Sequence, residues 1–237
     1  MTIFQRTHSL VCSNTMIISL TGFMGCGKSS VGRKLSELLC CPFMDLDDVI
    51  IESAGRSIPE IFASEGEQVF RQMELEALKQ IISPSVMSQC APLAPSHFVG
   101  PSPYAGVRKC QFRTSVSSPE DETLVLALGG GAVMTKECAE IVKEQTCCVY
   151  LKASIETLME HLSGEADGRP MLQGKAASQE AGTSLRGAER RGNPLQERIA
   201  ELMAQRSETY EKTAHIIVDT DGKSIEEIAQ KILESIR

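Results

Sequence analysis

The run Gly22-Phe23-Met24-Gly25-Cys26-Gly27-Lys28-Ser29 carries glycine, lysine and serine at the spacing G-x-x-x-x-G-K-S. Glycines so placed let successive backbone N–H groups turn inward around a phosphate, where the positive end of a following helix also points. Lys28 then reaches the β- and γ-phosphates, and the Ser29 hydroxyl ligates Mg2+. Gly25, Cys26, Gly27 and Ser30 complete the cradle. The apolar run 17–20 precedes it, and Val31, Leu35, Leu38 and Leu39 follow as an amphipathic stretch. A glycine turn without a ligand is the bland alternative, and these flanks favour a nucleoside triphosphate site.

Asp45, Asp47 and Asp48 leave the end of a second apolar run. Residues i and i+2 leaving a strand project in the same direction. Asp45 can therefore organise a metal's water shell while Asp47 accepts a proton from a hydroxyl nucleophile. Alternatively, Asp47 only caps a helix over 48–53. Two arginines stand in apolar stripes. Arg71 precedes Leu75 and Leu78 on one helical face, and Arg206 extends the stripe of Leu195, Ile199, Leu202 and Met203. They either snorkel at the core's edge or converge on a small anion, because guanidinium grips carboxylate with two prongs. Gly129, Gly130 and Gly131 follow a further apolar run. They put backbone amides at the carboxyl edge of a sheet, where open α/β folds bind ligands. A tight turn needing positive φ would require one glycine rather than three.

Positioning these groups takes a parallel sheet. From Met16 onward, short apolar runs alternate with helical patterns, as in an α/β fold with helices covering the sheet. Strands are predicted at 17–21, 43–45, 124–128, 148–151 and 216–218. Helices are predicted over 67–82 and 194–212, and Ile225, Ile228, Ala229, Ile232, Leu233 and Ile236 mark one face of a last helix. Residues 83–122 hold six of the ten prolines and are expected to form a long irregular insertion. Residues 164–193 hold six of the eighteen glycines with Arg169, Arg186, Arg190 and Arg191, as either a linker or a closing lid. Residues 1–15 contain one basic residue, Arg6, and no apolar stretch. They read as a loose tail, or as the result of an upstream start codon, rather than as a secretory signal.

Composition narrows the field. The 237 residues carry 24 basic and 31 acidic side chains, a net charge of −7, and 4% aromatics. That balance argues against an electrostatic nucleic-acid binder or a base-stacking platform. No apolar run is long enough to span a membrane. The nine cysteines form no C-x-x-C pair and the four histidines have no metal-ligand spacing. Scattered thiols of this kind suit a reducing, cytoplasmic location.

Taken together these residues resemble the shikimate kinase family. The phosphate loop, Phe43-Met44-Asp45-Leu46-Asp47, Phe70-Arg71-x-x-Glu74, Gly129-Gly130-Gly131-Ala132-Val133, Arg169-Pro170-Met171-Leu172 and Arg206 before Tyr210 stand in the family's order. The resemblance implies one domain over 16–237, built as a P-loop three-layer α/β/α fold with a five-stranded parallel sheet and a lid loop. It implies transfer of the γ-phosphate of MgATP to the 3-hydroxyl of shikimate, by a monomer. In that scheme Lys28, Ser29 and Asp45 serve the phosphates and Mg2+, and Asp47 binds the reacting hydroxyl. Arg71 and Arg206 hold the shikimate carboxylate, with Gly129, Gly130 and Gly131 adding backbone contacts. Arg169 swings in with the lid to meet the transferring phosphate. Where the family often stacks an arginine on adenine, this chain has His161-Leu162, and Lys223 stands as the adenine-loop candidate. Two other readings remain at this point: a kinase for another polyol acid such as gluconate, and a catalytically silent nucleotide-binding homologue.

Overall fold

A computed structural model describes residues 16–83, 123–162 and 194–236. The expected tail 1–15, the insertion beyond Ser83 and the lid region with Arg169 lie outside the described residues. Five strands form one sheet: β1 (Met16–Thr21), β2 (Phe43–Asp45), β3 (Thr123–Ala127), β4 (Cys147–Lys152) and β5 (Ile216–Asp219). Their order is β2-β3-β1-β4-β5, and every pairing is parallel. The fold is thus the α/β type that the alternating pattern implied and the P-loop type that the resemblance implied.

Eight helices cover the sheet among the described residues. They are α1 (Lys28–Leu39), α2 (Leu46–Ala54), α3 (Ile58–Ser64), α4 (Gly66–Ile82), α5 (Lys136–Gln145), α6 (Ile155–Leu162), α7 (Pro194–Thr213) and α8 (Ile225–Ile236). A short 3-10 turn, Ala132–Met134, joins β3 to α5. Every predicted strand and helix is present within a residue or two of its expected ends, the helix after β2 included. That helix begins at Leu46 rather than at 48, and its N-cap is Asp45, whose side chain accepts from the Asp47 N–H. The cap reading of Asp47 therefore falls, because Asp45 does the capping and Asp47 lies inside the first turn.

Strand alternation splits the apolar residues between the two faces. Ile17, Leu124, Leu126, Cys148 and Tyr150 point to one face, where α2, α3, α4 and α5 pack. Ile18, Leu20, Val125, Val149 and Leu151 point to the other, under α1, α6 and α8. The buried middle strand β1 pairs Ile17 with Leu124 and Leu20 with Val149. Its carboxyl end thus opens into the phosphate loop between the ends of β3 and β4. This is the position at which open parallel sheets bind ligands.

Candidate active site

The phosphate loop leaves β1 at Gly22 and enters α1 through Gly27, which takes the left-handed conformation at φ 87°. Only glycine does this without steric cost. Lys28 opens the helix, and its Nζ donates to the carbonyls of Gly22 and Phe23, each at 3.0 Å. Ser29 Oγ donates to Asp45 Oδ2 at 2.6 Å. The Asp45 carboxylate thereby does two things, closing the end of β2 onto α1 and capping α2 through Asp47 N–H. A hydroxyl and a carboxylate oxygen held side by side are hard donors of the kind Mg2+ takes alongside water and phosphate oxygens. Ser30 is exposed on the first turn of α1.

Cys26 lies under the loop at 3% exposure, and burial pushes its thiol pKa up. A protonated, inaccessible thiol is a poor nucleophile, so Cys26 fills space. The last turn of α6 clamps the loop from above. His161 Nδ1 donates to the Gly25 carbonyl at 2.7 Å, and a Cβ on Gly25 would meet the Leu162 side chain at 2.9 Å. Lys223 pairs with Asp219 at 3.6 Å. The turn that carries it is fastened to the start of α6 by Asp221, which accepts from Ser154 N–H and the Thr157 hydroxyl.

The glycine turn after β3 is where the acceptor-side groups meet. A Cβ on Gly129 would lie 2.6 Å from Glu74 Oε1 and 2.8 Å from Asp47 Oδ1. A Cβ on Gly131 would lie 2.5 Å from both terminal nitrogens of Arg71. Gly130 abuts the phosphate loop, its Cβ position 3.2 Å from Met24 N. The three glycines leave the space of their side chains to carboxylates, the phosphate loop and a guanidinium in turn. Arg206, 6% exposed, approaches the Gly130 carbonyl at 3.5 Å and stands over the Phe23 ring at 5.9 Å. Arg71, Asp47 and Arg206 therefore all stand against the glycine turn, beside the phosphate loop.

Electrostatics tune the acids. Burial first, and the Asp45 charge second, raise Asp47 to about 6, against pulls from Lys28 and Arg71. Glu74, at 1% exposure, is raised to about 7 chiefly by burial, with Arg71 pulling the other way. Arg71 Nη1 donates to Glu74 Oε2 at 2.5 Å and Nη2 to Glu67 Oε1 at 3.1 Å. The other Glu74 oxygen, Oε1, is buried without a hydrogen-bond partner among the described residues. Sequence reasoning gave Glu74 no role, nor Tyr210, which donates its hydroxyl to the Gly130 carbonyl. The available signal was spacing alone: Glu74 stands three residues after Arg71 and Tyr210 four after Arg206, the helical neighbours of each arginine.

A phosphate loop at the head of a parallel sheet, with a buried carboxylate and two guanidiniums on the glycine turn beside it, is the arrangement of a P-loop small-molecule kinase. The chain belongs to the shikimate kinase family, whose model, described as "Shikimate kinase", matches residues 24–91 and 108–237. The unmatched residues 92–107 fall inside the proline-rich stretch 83–122. The chain is 33% identical to the shikimate kinase of Thermus thermophilus over 92% of its own length and 89% of the relative's. To that of Chlorobium phaeobacteroides it is 33% identical over 93% of each. Among solved structures it resembles shikimate kinase from Acinetobacter baumannii in complex with shikimate, at TM-score 0.66 and 28% identity, covering 94% of each chain. Shikimate kinase from Aquifex aeolicus matches at TM-score 0.61 and 26% identity, covering 93% of this chain and 96% of that one.

Proposed function

We propose that this chain transfers the γ-phosphate of ATP to the 3-hydroxyl of shikimate. One observation carries the assignment of acceptor: Arg71 and Arg206 stand around the same glycine turn that Asp47 faces. Two guanidiniums anchor a carboxylate by charge-assisted hydrogen bonds, and a ring of fixed size then places one hydroxyl at Asp47. With its pKa near 6, Asp47 is ionised at neutral pH yet more basic than an ordinary carboxylate, which suits it to orient the hydroxyl and take its proton. Lys28 and the N–H groups of Gly25, Cys26, Gly27, Lys28, Ser29 and Ser30 hold the nucleotide phosphates. Ser29 and Asp45 hold Mg2+, directly and through its water shell; when bound, the ion offsets charge on the phosphates. Arg169 serves the transferring phosphate and Lys223 the adenine side. Most of the rate enhancement in such a site comes from positioning and charge stabilisation.

No helix among the described residues is long and apolar enough to cross a membrane. Free thiols at Cys26, Cys40, Cys138, Cys147 and Cys148 support a reducing, cytoplasmic location. The test is ADP release from MgATP with shikimate, with gluconate, and with no acceptor. Turnover confined to shikimate is expected. Equal turnover with gluconate moves the acceptor class, and tight ATP binding without turnover leaves a silent homologue.

A further inference from the structure

The glycine turn is gripped from the α7 side by two residues one helical turn apart. Tyr210 donates its hydroxyl to the Gly130 carbonyl, and Arg206 Nη1 reaches the same oxygen at 3.5 Å. Tyr210 is wholly buried, and its ring stacks on Tyr150 with centroids 5.2 Å apart and planes 27° apart. Burial also holds the phenol well above its ordinary pKa, so it remains a donor. Packed in this way, the hydroxyl cannot swing off its acceptor.

We propose that Tyr210 is a positioning residue for the acceptor, fixing the Gly130–Gly131 peptide so that the Gly131 N–H faces the space between Arg71 and Arg206. The inference rests on the reading of that space as the shikimate site. A trans peptide is planar, with its C=O and N–H on opposite edges. A Gly130 carbonyl drawn toward α7 therefore turns the Gly131 N–H away from α7. On Gly131 itself lies the Arg71 guanidinium. Neighbouring groups of the turn bond internally, Ala132 N–H to Gly129 O and Met134 N–H to Gly131 O. The Gly131 N–H has no acceptor among the described residues. An unspent backbone donor beside two guanidiniums completes a three-donor seat for a carboxylate. Because Arg206 shares the carbonyl with Tyr210, the phenol also limits where that guanidinium can rest.

The test uses the full chain labelled with 15N-glycine, and steady-state kinetics. In the wild type, saturating shikimate is expected to move the Gly131 amide resonance, and a resonance that stays put overturns the proposal without any variant. Tyr210→Phe keeps the stacked ring and removes the donor. It should displace the Gly131 resonance before substrate is added and raise the shikimate KM about tenfold, the worth of one positioned hydrogen bond. The KM for ATP and kcat should stay within about twofold, as expected for lost ground-state binding. Tyr150→Phe, which retains the stack and the Gly130 contact, should match the wild type; an equal KM rise there assigns the effect to ring packing and overturns the role. Absence of shikimate-dependent ADP release by the wild type sinks the functional reading. Normal wild-type turnover with an unchanged Tyr210→Phe sinks the positioning role alone.

Discussion

Replacing Glu74 by glutamine separates what this residue does for the fold from what it does for the site. Its carboxyl is buried, has one oxygen without a partner among the described residues, and is raised from 4.5 to about 7. A carboxyl with a raised folded pKa contributes stability that is present below its unfolded value and lost as pH rises through its folded value. Each pH unit in that window is worth about 1.4 kcal/mol, so the ionised form costs the native state about 3 kcal/mol above pH 7. Glutamine has the shape of the protonated acid and never ionises. Glu74→Gln should therefore be more stable than the wild type at pH 8 and nearly equal to it at pH 4.5. In thermal melts the pH 8 difference should be about 6 °C or more, at about 2–4 °C per kcal/mol for a chain of this size. The same change weakens the anchor of Arg71, whose remaining charged partner is Glu67 at the surface, 53% exposed. The shikimate KM should rise about tenfold, the loss of one charge-assisted bond's positioning. A variant less stable than the wild type at pH 8 would refute the reasoning, since it would make the ionised Glu74–Arg71 pair a net stabiliser. A stability difference independent of pH would refute it equally.

Other outcomes follow from the same geometry. Arg71→Ala should raise the shikimate KM about 10- to 100-fold, for 1.5–3 kcal/mol of charged hydrogen bonding, with the KM for ATP unchanged in the same assays. Asp47→Asn should retain ATP binding, measured by calorimetry, and lose nearly all turnover. In the wild type, kcat/KM for shikimate should rise with pH through about 6 as Asp47 ionises, a limb that a pH–rate profile reads directly. Gly131→Ala places a methyl 2.5 Å from the Arg71 guanidinium. It should therefore raise the shikimate KM at least as much as Glu74→Gln, with the KM for ATP again the control.

Much of this was legible in the residue order because period and punctuation carry it. The strands announced themselves as apolar runs ending in Gly22, Asp45 and Gly129, and each run's end is where chemistry-bearing residues stand. The phosphate loop needed only its own spacing. What stayed hidden depends on three-dimensional neighbours. Glu74 is an acid in the middle of a helix, flanked by Leu75, Ala77 and Leu78, and nothing in that local pattern says that β3's glycines will seal it from water. The sequence offered Asp47 as a helix cap, whereas Asp45 takes that place, its carboxylate shared by the Ser29 hydroxyl and the Asp47 N–H. His161 and Tyr210 act on backbone carbonyls 136 and 80 residues away, and a carbonyl leaves no mark in a sequence.

The division of the apolar residues between the two faces of the sheet has an outcome for how the enzyme would fail. The face packed by α2, α3, α4 and α5 carries Arg71 and Glu74, whereas the face under α1, α6 and α8 carries the floor of the phosphate loop through Phe23, Cys26 and Leu162. Among the described helices only α7 contributes to both, with Ile199 and Leu202 on one side and Tyr210 on the other. On the proposed assignment, core substitutions in the first layer should weaken the acceptor side more than the nucleotide side, and those in the second the reverse. A lesion in α7 is the exception and should loosen acceptor and nucleotide sides together, because that helix is the beam the two layers share.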